Sequence, residues 1–227
     1  MKNGVLIVFL CIAIGGIVNG QIVPRIGFGA HVGGVCSSLT NDFKLYLEQN
    51  QPYRKDVRTI GNEIGLCAQL AFDSNRWWIV EVNEDFGSIA DIANTSTLVK
   101  LKYDVFHGMG NDIHLYTHAG IGMSVLKYYY ERNPLQSVTA SMLNNGLSNY
   151  EQYAIWQSSI LWNVGFELTM PVVNNPNLMW HVALAYMYRQ GNSSHLSKTY
   201  GGAKVDDFPS ILHHSFSFSV GFDYWLK

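Results

Sequence analysis

The stretch SFSFSVGFDYWLK, residues 215–227, reads two ways. Successive side chains of an extended strand point to opposite faces. Phe216, Phe218, Val220, Phe222, Tyr224 and Leu226 therefore share one face, and Ser215, Ser217, Ser219, Gly221 and Asp223 share the other. In a soluble protein the oily face would pack on a core and the small polar face would meet water. Inverted, the oily face meets lipid and the small polar face fills the inside of a barrel.

Seven further stretches carry the same period of two, and no long helical periodicity follows the first 20 residues. In PRIGFGAHVGGVC (24–36), Ile26, Phe28, Ala30 and Val32 alternate with Gly27, Gly29, His31 and Gly33. From Thr59 to Phe72, Ile60, Ile64, Leu66, Ala68 and Leu70 oppose Gly61, Glu63, Gly65, Cys67 and Gln69. Trp78, Val80 and Val82 oppose Glu81 and Asn83, and Val99, Leu101, Tyr103 and Val105 oppose Lys100, Lys102 and Asp104. Three more stripes run over 113–125, 156–168 and 178–189, with Ile121, Phe166 and Leu184 on their oily sides. Each is long enough to cross a bilayer as a tilted strand of roughly 9–11 residues.

The connections alternate in length. FDSNR, HGMGND and PVVNNPN are turn-rich, with Gly, Asn, Asp and Pro. The others are expected to be long loops, spanning about 37–57, 84–97, 127–152 and 190–211. Short turns at one end and long loops at the other describe an up-and-down transmembrane barrel of eight antiparallel strands, with periplasmic turns and four extracellular loops. Closure is a physical demand, because backbone groups in hydrocarbon have no water to bond and every strand edge must be paired. Trp77, Trp78, Tyr103, Tyr128, Trp156, Tyr186, Tyr188, Tyr224 and Trp225 are expected to form interfacial girdles.

Composition agrees. Charged residues make up 14% of the chain, well below the roughly 25% of soluble domains. A net charge of −2 offers no reason to expect nucleic acid as a partner. The one uniformly apolar run, residues 5–18 behind Lys2, is short for a spanning helix and ends in small residues. It reads as a secretory signal peptide, residues 1–20, cut before Gln21, with 21–227 as the barrel domain; a retained anchor helix is the alternative. Cys36 and Cys67 fall on opposite faces of their strands, which argues against a disulfide between them.

These stripes resemble those of the small eight-stranded outer-membrane barrels of Gram-negative bacteria, the OmpA/OmpX-type superfamily. The final strand resembles the C-terminal signal that such proteins present to their insertion machinery, although it ends in Lys227 and not in an aromatic residue. The resemblance implies location in the outer membrane, a lipid bilayer and lipopolysaccharide as surroundings, and an extracellular partner reached through the loops. The rival all-β fold is a secreted lipocalin-like barrel with an apolar interior. It would need many charges on its outward face, and the polar faces here carry mostly Gly, Ser, His, Asn and Ala.

Glu63, Glu81, Lys100, Lys102, Asp104, His114, His118, Glu167, His181, Arg189 and Asp223 are expected to face inward. Hairpin pairing would bring Asp104 near His114, Lys100 near His118, and Glu167 near His181. Eight strands leave an interior just wide enough for side chains to fill. A mutually neutralising network plugging the barrel is therefore preferred to the lining of a narrow solute channel. His31, His114, His118 and His181 show no compact metal-ligand spacing, so neither a metal nor a cofactor is expected. His195 and Ser197, one residue apart, resemble the H-x-S core of lipid A deacylase barrels, where histidine activates serine. That family's following Asn is Lys198 here, and Asp206 or Asp207 would have to supply the carboxylate. The favoured reading is a polar loop with no catalytic role, and the same holds for His213 and His214.

Overall fold

The computed structural model describes residues 24–50, 59–73, 75–89, 92–106, 113–130, 153–173, 175–197, 203–205 and 208–226. Residues 1–20, read above as a signal peptide, and Asp206 and Asp207 lie outside the described residues. The elements are β1 (Arg25–Leu39), α1 (Asn41–Asn50), β2 (Ile60–Ala71), β3 (Trp78–Ile89), β4 (Ile92–Asp104), β5 (His114–Tyr130), β6 (Tyr153–Val172), β7 (Asn175–Ser197), β8 (Ala203–Val205) and β9 (Leu212–Trp225).

Each long strand pairs antiparallel with its neighbour in chain order from β1 to β7, β7 pairs with β9, and β9 returns to β1. The result is a closed eight-stranded up-and-down barrel with no open edge. The short β8 folds back on the end of β7, with Ser194 opposite Val205.

The orientation of the stripes decides between membrane and water. Leu184, Phe166 and Phe218 are 59%, 59% and 49% exposed on the outer wall, while Ser219 and Asp223 point inward at 8% and 2%. Ile26, Phe28, Leu66, Ile121, Trp162 and Phe222 join the outward set. An apolar band around a whole barrel faces acyl chains; a water-soluble protein does not carry a patch of that extent. Cys36 is exposed and Cys67 buried, both free, as opposite faces require.

Three features depart from the sequence reading. The segment 84–97 is not a long loop: β3 and β4 pair up to Ile89 opposite Ile92, leaving two residues between them. The outward stripe is interrupted by Glu84, Thr95 and Thr97, although Phe86 stays exposed among them, so the two-residue alternation fades before the hairpin ends. Likewise β7 continues through Gly191 to Ser197. Finally, Tyr128 and Trp225 belong to no girdle; both are buried inside the barrel, at 2% and 3% exposure. Tyr128 caps an apolar layer at the extracellular end, and Trp225 sits on the inward parity of β9 among otherwise polar residues.

Candidate functional site

Three layers fill the lumen. At the end that holds both termini of the barrel, Ala71, Ile79, Tyr116, Met179 and Trp225 form an apolar floor. Arg76 closes it from below. Asp73 accepts backbone N–H bonds from Asn75, Trp77 and Trp78, shaping a tight turn that holds Arg76 at a left-handed φ of 62°. Its guanidinium lies 5.6 Å from the Trp225 ring centre and its carbonyl accepts a 2.9 Å bond from the Tyr116 hydroxyl. The sequence offers no warning of this arrangement, because a turn arginine carries no periodicity.

Above the floor lies a charged layer. Lys102 donates to Glu81 at 2.5 Å and to Glu167 at 2.7 Å, and Lys100 donates to Glu81 at 3.0 Å. Gln69 Nε2 donates both to Glu81 (3.0 Å) and to Asp223 (2.9 Å). Three histidines each take a different aspartate: His31 and Asp85 at 3.1 Å, His114 and Asp104 at 2.6 Å, His181 and Asp223 at 2.9 Å. Small residues make the room. A Cβ on Gly65 would collide with His31 and Asp85, and one on Gly221 would stand 2.6 Å from His181 Nε2.

Of the three expected pairs, His114–Asp104 forms directly. Glu167 and His181 lie close, with their ligating atoms and one of Asp223 within 4.8 Å of one another. That trio has the donors for a cation, but the Lys102 ammonium already supplies one to both oxygens of Glu167. In the third, the register sets Lys102 opposite His118; Lys100 lies near enough for its charge to act on His118, while its amine donates to Glu81. Both nitrogens of His118 are buried without a hydrogen-bond partner.

The extracellular layer is apolar again, with Val35, Leu39, Ile89, Ile92, Leu98, Leu126, Leu161 and Met187 at its centre. Helix α1 closes it. Thr40 caps the helix, its Oγ1 accepting from Phe43 N at 3.1 Å, and its own N–H donates to the Ile211 carbonyl. Phe43 and Leu47, four residues apart and so on one helix face, are 0% and 4% exposed against the barrel mouth. Phe208 packs edge-on to Phe43 and Tyr46, and Gln157 ties the segment down through the Pro209 carbonyl and Ile211 N–H. Between floor and charged layer a cavity of ≈ 10 Å³ remains, room for about one water.

His195 and Ser197 lie in β7 and not in a loop. The bulge near Gly191 puts Ser194 inward, so His195 faces out, opposite Trp156, with Nε2 3.0 Å from Ser193 Oγ. The Ser197 side chain is outside the described residues. His213 Nδ1 lies 3.3 Å from the Arg189 carbonyl, and His214 Nδ1 is 2.6 Å from the Tyr186 hydroxyl on the outer wall. The two rings both pack against Tyr188, with their centres 6.3 Å apart.

A closed barrel of eight strands, oily outside and holding a layer of buried ion pairs inside, has the architecture of a transmembrane β-barrel of the outer-membrane type. Known structures share the fold. Neisserial surface protein A is similar over 88% of this chain and 96% of its own, with 12% identity and a TM-score of 0.53. A major outer-membrane protein from Thermus thermophilus is similar over 90% of this chain and 100% of its own, with 10% identity and a TM-score of 0.52. At the level of sequence no protein-family model matches the chain, and neither does any curated protein.

Proposed function

We propose that this barrel is non-enzymatic and closed to solutes, and that it acts at the extracellular surface, as a structural and interaction element of the outer membrane. The observation that carries the reading is the filled lumen. A bridged ion-pair layer lies beneath an apolar layer, and α1 is seated over both. A conducting pore needs a continuous polar path, and the apolar layer interrupts one. Lipopolysaccharide is the proposed neighbour of the outer wall above the apolar band. There Lys127 stands 4.7 Å over the Trp156 ring, an aromatic and basic pairing suited to a headgroup region. Extracellular partners would meet the α1 cap and the connections beside it, since loops held by a rigid scaffold are where binding concentrates.

The test is conductance of the purified protein in planar bilayers. The wild-type chain should give no unitary steps above the bare-membrane baseline, and regular steps would remove the reading. Enzymatic action is tested apart, by comparing lipid A from cells carrying the wild-type chain and Ser197→Ala; identical acylation supports a non-enzymatic barrel.

A further inference from the structure

Arg189 sits where the charged layer meets the apolar one, beside Met187 on β7 and opposite Leu161 on β6. It is 1% exposed. Lys100 and Lys102 reach carboxylates, but no salt bridge joins Arg189 to one among the described residues. Glu63 is the carboxylate close enough to attract it, without touching it. The guanidinium is held by hydroxyls instead: Nε donates to Ser124 Oγ at 3.1 Å and Nη1 to Ser215 Oγ at 2.7 Å, while Nη2 has no partner.

The hydrogen-bond inventory is one-sided. Ser124 gives its proton to Asn94 Oδ1 at 3.0 Å. Ser37 and Ser215 share one bond at 2.8 Å, so whichever donates, one of their two protons is left over. The site therefore holds one full positive charge, an unused guanidinium N–H pair and an unused hydroxyl, with no carboxylate in contact. Arginine presents its donors in a fixed fork and cannot shed its proton. A buried charge without a counter-charge is strongly destabilising. Water could satisfy the donors but would leave the charge.

We propose that Arg189, with Ser215 and Ser37, is a lumenal binding site for a small monovalent anion, a halide or a single carboxylate. The anion neutralises the guanidinium directly beneath the α1-capped apolar layer, so its presence stabilises the closed extracellular mouth. Glu63 restricts the site to one negative charge, because a divalent anion would be repelled at close range in a medium of low dielectric.

The experiment uses the full chain folded in detergent micelles, in sodium bromide, sodium acetate or sodium gluconate at equal ionic strength. Gluconate, a bulky polyhydroxylated anion, is the reference salt. The unfolding temperature should rise by a few degrees in bromide or acetate over gluconate, since a ligand that binds only the folded state stabilises it. Arg189→Met and Ser215→Ala should each abolish the difference. A rise in bromide alone identifies a free halide as the occupant, and a rise in acetate alone a carboxylate. If Arg189→Met does not fold, anomalous scattering from bromide-soaked wild-type crystals decides, with a peak expected within hydrogen-bond distance of Nη2. Equal unfolding temperatures in all three salts, with no bromide peak, would mean that only water occupies the site, and would overturn the proposal.

Discussion

Lys102 on β4 and Glu167 on β6 meet across the lumen at 2.7 Å, although a whole strand separates them in the sheet. The contact exists because the barrel is closed and narrow. With Glu81 on the other side of the same ammonium, it ties β3, β4 and β6 together through their interior.

Lys102→Met should therefore be among the most damaging single changes in the chain. It leaves Glu81 and Glu167 with one fewer cation in a buried layer, at a loss of about 3–5 kcal/mol. Adding Glu167→Gln should return part of that loss. Urea unfolding in phospholipid vesicles, followed by heat-modifiable gel mobility, reads both; a Met variant as stable as wild type would refute the bridging role.

The outer wall makes contrasting predictions for two adjacent residues. Phe218→Arg places a charge against acyl chains and should cost up to about 2–4 kcal/mol, depending on its depth. Ser217→Ala, on the inward face, should cost far less. Equal tolerance at both positions in a bilayer unfolding assay would mean that the wall does not face lipid.

Phe43→Ala should release α1 while leaving the barrel closed. Truncating a buried phenylalanine costs roughly 3–5 kcal/mol in a packed core. Here much of that falls on one helix, held by Phe43, Leu47 and the Thr40 cap. Faster protease cleavage within 41–50 on intact cells, with unchanged heat-modifiable mobility, is the expected pattern. Global unfolding would instead show that the cap and the barrel are one cooperative unit.

Arg76 allows a separation of backbone from side chain. Arg76→Ala and Arg76→Gly both lose the contact with Trp225, yet only Gly adopts the left-handed φ of 62° freely. The Gly variant should be more stable than the Ala variant by about 1–2 kcal/mol. Equal stabilities would locate all of the effect of Arg76 in its guanidinium.

Much of this was legible without coordinates. The alternation at Phe216, Phe218 and Phe222 against Ser217 and Asp223 needed only the two-residue period of a strand, and lipid demands that period of every wall. The neighbours His114 and Asp104 could be paired because a short connection between antiparallel strands keeps their facing ends close. The girdle expectation failed at Tyr128 and Trp225 because residue type outweighed parity, although parity alone places both of them inside. The hairpin at 84–97 was hidden because Glu84, Thr95 and Thr97 break the oily alternation around Phe86, while the strands go on.

The chain's own order of residues was enough to determine a closed eight-stranded membrane barrel, since oily and small polar residues alternate in step with the backbone and hydrocarbon tolerates no unpaired edge. What fills that barrel was decided only in three dimensions. The meeting of Lys102 with Glu167, the seat of Phe43 in the mouth and the partnerless nitrogen of Arg189 all depend on shear and on side chains crossing the lumen between distant strands. No local pattern records those distances.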